Sequence, residues 1–259
     1  VLDAAGRIVR HLSSAPIPPV AEIPRVPFPE YWLARPTGMP TVIGTNRINW
    51  DVRYDAPKVF SHDFEINANV GLTPASPEGP LALPGVYTLR LTVDGARYEQ
   101  KVTVRNDPRS PATAADLDAQ HALLTRLNGA INAAWDMQQR ADALRAAVDA
   151  AASGAPQEVT AAAATLKTAI DAGAGAERGS AMTFRSLSRR FVGQLTAQDK
   201  GDHAPTAPTL AAYAAACRDL TGAQAQWNRA TDAGLAAFNT VLTRSGKNPI
   251  AAPAAAPAS

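Results

Sequence analysis

Alanine and proline are segregated along this chain, and that segregation limits its possible folds more than any motif. Residues 1–100 hold 10 alanines and residues 101–259 hold 45, whereas 15 of the 21 prolines fall within residues 1–111. Proline removes a backbone donor and fixes φ, so it is excluded from helix interiors and central strands. Alanine is the strongest helix former. The first part is therefore predicted to be strands and loops, and the second helices. Strands followed by helices, without alternation, read as separate domains rather than one α/β sheet. The boundary is the polar stretch Asn106-Asp107-Pro108-Arg109-Ser110-Pro111. It divides a β domain of residues 1–107 from a helical domain of residues 108–248. Residues 249–259 are an Ala/Pro tail, expected to be loose.

Within the first part, Ile48, Trp50, Val52 and Tyr54 alternate with polar residues, the period of a half-buried strand. Tyr87, Leu89, Leu91 and Val93 repeat the pattern, as do Tyr98, Val102 and Val104. Asp94-Gly95 joins the last two, and such a pair supplies the positive φ angles of a tight hairpin turn. Val1 to Arg10 reads as a first hairpin turning at Asp3 to Gly6. A structured first residue is expected of a fragment or processed product. The proline-rich stretch from Ala15 to Pro40 reads as an extended crossing loop. Short strands separated by turns over such a length fit a β-sandwich, with a small open barrel as the alternative.

In the second part, Thr113 three residues before Asp116 is a variant capping box. The helix it opens carries Leu124, Leu127, Ile131, Leu144 and Val148 on one face and is predicted to run to about Ala152, before Ser153-Gly154. A second helix follows Pro156 and ends in the glycines at 173, 175 and 179. A third carries Phe184, Leu187, Phe191 and Leu195. The last begins at Thr206 or Thr209, with Leu210, Tyr213, Cys217, Leu220, Trp227, Thr231, Phe238 and Val241 along its face. The expected architecture is an antiparallel bundle of three long rods, the middle one broken, or of four helices.

The net charge of +2 leaves no electrostatic footprint for nucleic acid or an anionic membrane. No apolar run is long enough to span a bilayer. The single cysteine, Cys217, excludes an internal disulfide and a multi-cysteine metal site.

The order of features in residues 1–108 resembles a known module. It runs from Leu2-Asp3-Ala4-Ala5-Gly6-Arg7-Ile8-Val9-Arg10, through Gly44-Thr45-Asn46-Arg47-Ile48-Asn49-Trp50-Asp51-Val52-Arg53-Tyr54, to Leu83-Pro84-Gly85-Val86-Tyr87-Thr88-Leu89-Arg90-Leu91. This is similar to the immunoglobulin-like module of flagellar hook-capping proteins and of many exported bacterial proteins. The continuation through Asn106-Asp107-Pro108-Arg109-Ser110-Pro111 into a helix with Asp116-Leu117 and Gln120 is more specific. It resembles the C-terminal region of bacterial BNR-repeat proteins, labelled glycosyl hydrolase, sialidase-like or sortilin-like, in which β-propellers precede an immunoglobulin-like and helical tail. The resemblance implies a β-sandwich, an exported location (periplasmic, secreted or cell-surface) and a propeller or other protein as partner. It implies no catalysis here. The sialidase arginine triad, acid/base Asp and Tyr–Glu pair lie in the propeller, and no Ser-x-Asp-x-Gly-x-Thr-Trp box occurs in this chain.

The residues themselves point the same way. His11, His62, His121 and His203 are scattered and make no metal-ligand spacing, and no cofactor motif is present. A glycosidase needs two carboxyl groups about 5–10 Å apart. Asp51 and Asp55, if four apart on one strand, lie roughly 13 Å apart at about 3.3 Å per residue. Asp63 and Glu65 share a face without a cleft around them. The best candidates for a surface contact are Phe28, Tyr31 and Trp32 in the proline-rich loop, with Glu65, Asn67 and Asn69 in the long irregular insertion of residues 64–80. Each also reads as a loop pinned onto its own sandwich. The expected function is that of a non-catalytic accessory module; the alternative is a glycoside-hydrolase accessory domain that binds glycan through aromatics or lends a loop to the active site.

Overall fold

The computed structural model describes residues 1–15, 30–34, 38–64, 70–174 and 183–252. A short 3-10 turn (Glu30–Trp32) is followed by strands β1 (Asp63–Phe64), β2 (Ala75–Ser76), β3 (Gly85–Val93) and β4 (Ala96–Val104). Four helices complete the order: α1 (Ala114–Ala152), α2 (Gln157–Ala174), α3 (Phe184–Gln198) and α4 (Ala207–Arg244). Antiparallel β-hairpins thus precede packed helices, as the segregation of alanine and proline demands.

The chain forms two compact units. Unit 1 takes residues 1–57, 61–128 and 194–206; unit 2 takes residues 58–60, 129–193 and 207–259. Unit 1 therefore includes both sides of the compositional change at 107/108, and α1 and α3 each contribute residues to both units.

In unit 1, β3 and β4 pair over their full length, from Gly85 opposite Val104 to Val93 opposite Ala96. Asp94 and Gly95 turn the chain with φ of 49° and 81°, the left-handed pair that a two-residue hairpin requires. The first residues form the expected hairpin. Leu2 bridges Ile8, the Asp3 carboxylate accepts the amides of Ala5 and Arg7, and Leu2 also bridges Thr88 at the edge of β3. β1 pairs with β2 through two residues on each side. β1–β2, β3–β4 and the first ten residues are hairpins, and the Leu2–Thr88 bridge joins the last of these to β3; no two facing sheets are present among the described residues. The core around β3 is small. Val9, Ala82 and Tyr87 are buried, with Trp50, Val52, Tyr54, Val102 and Val104 packed against them.

The predicted strand over residues 48–54 is not formed. Asp51 accepts the amide of Arg53, Trp50 Nε1 donates to the Arg53 carbonyl at 3.0 Å, and Val52 sits at φ 61°. A β-branched residue there is a backbone outlier. Only Arg53 remains in bridge geometry, opposite Leu81. The alternation still reports burial correctly for Trp50, Val52 and Tyr54, which face the core from a kinked segment, while Ile48 is 43% exposed. The kink seats the chain on the end of the 64–80 insertion. Tyr54 N donates to Pro80 O, and Arg53 Nη1 donates to Gly79 O at 2.8 Å.

The helices follow their caps. Thr113 and Asp116 make the reciprocal N-terminal bonds of a capping box, and Gly154 at φ 63° lies just past the end of α1. Thr183 and Ser186 cap α3 in the same way. After α4, Gly246 at φ 72° lets Lys247 N reach Leu242 O. In unit 2, α1 buries Ile131, Ala134, Ala141, Leu144 and Val148. Its charged flank pairs with α2 through Asp149–Lys167 and Arg145–Asp171, and with α3 through Asp142–Arg185. α4 meets α2 where Gly173 lies against Trp227, and meets α3 through Phe184–Trp227 and Phe191–Tyr213. The buried stripe of α4 is Ala216, Leu220, Ala223, Trp227, Thr231, Leu235, Phe238 and Leu242. At its ends it is turned one residue from the expected face. Cys217 and Val241 flank it, and Leu210 is 44% exposed. Residues 253–259 of the tail lie outside the described residues.

Two glycine substitutions separate close packing from helix propensity. A Cβ at Gly79 would stand 2.0 Å from Tyr54 O and 2.8 Å from Asp55 O, both backbone atoms. Gly79→Ala is expected to destabilise unit 1 by about 2–3 kcal/mol or more, the range for overpacking against parts that cannot retreat. Gly193→Ala, in open space on α3, is expected to stabilise unit 2 by about 0.5–1 kcal/mol. Urea unfolding of both variants checks the two signs.

Candidate interaction surface

The structure brings together two segments that the sequence singled out separately. The 3-10 turn Glu30–Trp32 is hydrogen-bonded to the end of the long insertion: Gly71 N donates to Tyr31 O, Thr73 N to Trp32 O, and Ala34 N to Thr73 O. Leu33 forms a parallel bridge with Thr73, and both are buried, at 4% and 0% exposed. On this anchored pair of loops, Tyr31, Val70 and Leu72 are 60%, 65% and 73% exposed. Trp32 is half-buried, its ring 6.1 Å from that of Tyr31 and nearly perpendicular to it at 79°. The result is an apolar surface carried on backbone that is hydrogen-bonded across the two loops. Phe28, Glu65, Asn67 and Asn69 lie outside the described residues. Val70 and Leu72 were not singled out in the sequence. Only their place inside the insertion pointed to them.

Unit 1 also holds a cleft of about 190 Å³ among Val52, Leu83, Val104, Gln120, His121 and Asp199. Several of its polar groups are held in structural bonds. Gln120 Nε2 donates to the carbonyls of Gln198 and Gly201, at 2.8 and 2.7 Å. The Arg53 guanidinium pairs with Asp199 at 3.0 Å and with Glu78 at 3.5 Å. His121 Nδ1 lies 2.9 Å from Leu81 O, so that nitrogen carries the proton, and Nε2 faces Thr125 Oγ1 at 3.4 Å. The Tyr54 ring covers the imidazole at 5.1 Å. Burial holds the His121 pKa below its ordinary 6.5, against the raising effects of Leu81 O and Asp118. This histidine ties α1 to the loop before β3.

The carboxylates differ from expectation. Because residues 48–54 are kinked, Asp51 and Asp55 do not stand apart along a strand. They converge on one guanidinium, at 3.6 and 3.4 Å from Arg10. Two carboxylates shared by one cation, 46% and 63% exposed, form a surface ion-pair cluster. Asp63 is exposed on β1, and Glu65 lies outside the described residues. Of the cationic residues Arg185, Arg189 and Arg190, Arg185 pairs with Asp142 and Arg190 with Asp219. Among the described residues, no group of three His, Cys, Asp or Glu side chains is placed to hold a metal ion, and no helix is long and apolar enough to cross a membrane.

The His121 environment has a pH signature. Its pKa is depressed in the folded state, so the unfolded chain binds the extra proton first. The stability it contributes is complete above about pH 6.5 and is lost as pH falls below that value. The thermal midpoint should therefore drop between neutral and mildly acidic pH, and His121→Asn, which keeps a donor for Leu81 O but does not titrate, should flatten that drop. Identical pH slopes in the two proteins would remove His121 as the cause.

No family model, curated protein or solved structure matches this chain.

Proposed function

We propose that this chain is a non-catalytic accessory and interaction module of an exported β-propeller protein, one that packs against or orients the propeller and engages a protein partner. The observation that carries this reading is the exposed apolar surface of Tyr31, Val70 and Leu72, mounted on the buried Leu33–Thr73 anchor. A pre-formed apolar patch loses little entropy on docking, and clustered exposed apolar side chains mark interaction sites. In the cleft of unit 1, Gln120, His121 and Asp199 serve structural bonds, which fits a module without its own chemistry.

The finer architecture belongs to the same reading. The motif order in residues 1–107 supports an immunoglobulin-like β-sandwich, and the contacts of α4 support three rods. Along α4, Gly234, Trp227 and Tyr213 meet in turn Leu166 and Gly173 of α2 and then Phe191 of α3, so α2 and α3 act as halves of one broken rod. Glycan binding draws less support. Trp50 packs edge-on against Tyr87 and Tyr54 lies tilted over His121, while Tyr31 and Trp32 offer no coplanar platform.

The test is calorimetric titration of the chain with a recombinant β-propeller from a bacterial BNR-repeat protein that carries a tail of this kind. Saturable binding is expected. Leu72→Glu and Tyr31→Glu should each weaken it about tenfold or more, or ~1.4 kcal/mol, without lowering the melting temperature. Absent binding, or equal binding by the variants, overturns the reading. The same preparations should leave a panel of aryl glycosides, including sialosides, unhydrolysed. Turnover abolished by Asp63→Asn with Glu65→Gln would make the chain an enzyme.

A further inference from the structure

We propose that β4 is a self-association edge: two copies of this chain pair antiparallel through Ala96–Val104, with Gln100 opposite Gln100, Glu99 opposite Lys101 and Tyr98 opposite Val102 of the second copy. This surface is separate from the Tyr31–Leu72 patch and does not rest on the propeller reading.

The β3–β4 ladder is nine consecutive pairs without a bulge. On the far side of β3, Thr88 bridges Leu2; among the described residues nothing bridges the far side of β4. Residues 96–101 are all exposed. A two-stranded hairpin is marginal alone, and an open edge presents a row of unpaired amides and carbonyls. β4 has no proline, bulge or shortening; its edge carries only the charges of Arg97, Glu99 and Lys101, a protection that the register below converts into cross-strand pairs. Its two-residue turn makes Val93–Ala96 a hydrogen-bonded pair, so Arg97, Glu99, Lys101 and Thr103 direct their backbone groups outward.

One register satisfies both faces of the strand. With the two strand midpoints aligned, all of Ala96–Val104 is paired and Glu99 meets Lys101 twice, a favourable cross-strand combination. Glu99 already bonds Arg90 at 2.6 Å within the hairpin, so the contact extends a row of alternating charge. On the other face, Tyr98 is 62% exposed beside Leu89, Leu91 and Val93, at 38%, 43% and 47%. The same register sets Tyr98 against the second copy's Val102, which packs on the Val9–Ala82–Tyr87 core. The neighbouring registers fail. One sets Arg97 against Lys101 and Glu99 against itself, and its opposite sets Lys101 against itself. A one-residue slip turns the apolar row onto the charged row. A longer slip that sets Arg97 against Glu99 keeps only Ala96–Gln100 paired.

Light scattering after size exclusion, at submillimolar concentration, is expected to give twice the 27.1 kDa chain mass. Lys101→Glu, which leaves Arg90–Glu99 intact, should halve that mass, and Glu99→Lys should do the same. An equimolar mixture of the two variants should restore the dimer, because both cross-strand pairs are again of opposite charge. In a Cys217→Ser background, Gln100→Cys should oxidise to a disulfide-linked dimer, since residue 100 meets itself in a non-hydrogen-bonded pair. Arg97→Cys, facing Thr103, should not. A monomeric parent chain, a dimer that survives Lys101→Glu, or cross-linking at residue 97 in preference to 100 would each overturn the proposal.

Discussion

The Arg53 guanidinium is the point on which unit 1 turns. It reaches Asp199, 146 residues away, and also Glu78 and the carbonyl of Gly79, with 14% of its side chain exposed. A cation so placed is tolerated only because it is paired and hydrogen-bonded; removing one partner of such a pair costs about 3–5 kcal/mol. The side chain arrives there because the backbone is kinked at Val52. The same kink leaves Gly79 packed on the Tyr54 carbonyl, with no room for a Cβ. One charged group thus fixes the course of residues 50–55, the return of the insertion and the turn that follows α3. The small apolar cluster of Val9, Ala82 and Tyr87 would not order these segments alone.

How far the sequence could be read depended on the range of the forces involved. Helix ends are set within a few residues, by Thr113 with Asp116 or by Gly154, and these were legible. The Asp94-Gly95 turn was legible for the same reason. Residues 48–54 were not, because period-two alternation measures which side chains are buried, not the path between them. Trp50, Val52 and Tyr54 do face the core. An indole donating to a carbonyl three residues on, and an Asx turn at Asp51, bend the chain without altering the pattern. The face of α4 was read nearly in place. It drifts from Cys217 to Ala216 and from Val241 to Leu242 because burial follows the close approach at Gly173 and Gly234.

The contact surface shows a different limit. Tyr31 and Trp32 stood out by composition, and the insertion by its length. That the two are hydrogen-bonded through Tyr31, Trp32 and Thr73 is a tertiary fact with no local signal. Exposure of Val70 and Leu72 follows from Thr73 being drawn inward beside Leu33. Likewise, the separation expected between Asp51 and Asp55 assumed an extended chain. Their meeting on Arg10 follows from the kink, and through it from Arg53.

Composition marks where the backbone changes type, and compactness is decided by side-chain reach. Alanine replaces proline near residue 107, yet unit 1 also holds residues 114–128 and 194–206. The side chains that recruit them are polar. His121 binds the Leu81 carbonyl, Asn128 binds that of Asp55, and Gln120 binds those of Gln198 and Gly201. Such bonds are directional, and leaving one buried partner unsatisfied costs about 1–3 kcal/mol. They therefore specify one arrangement of the first turns of α1 against the loops of unit 1. Apolar contacts alone, which are tolerant of sliding, would leave several. The helical faces of unit 2 are mostly apolar, with Gln138, Ser188 and Thr231 the buried polar exceptions among the described residues, and take register from elsewhere. It comes from ion pairs at the flanks, Lys167 with Asp149 and Arg190 with Asp219, and from the two glycines that let α2 and α4 approach at only one position.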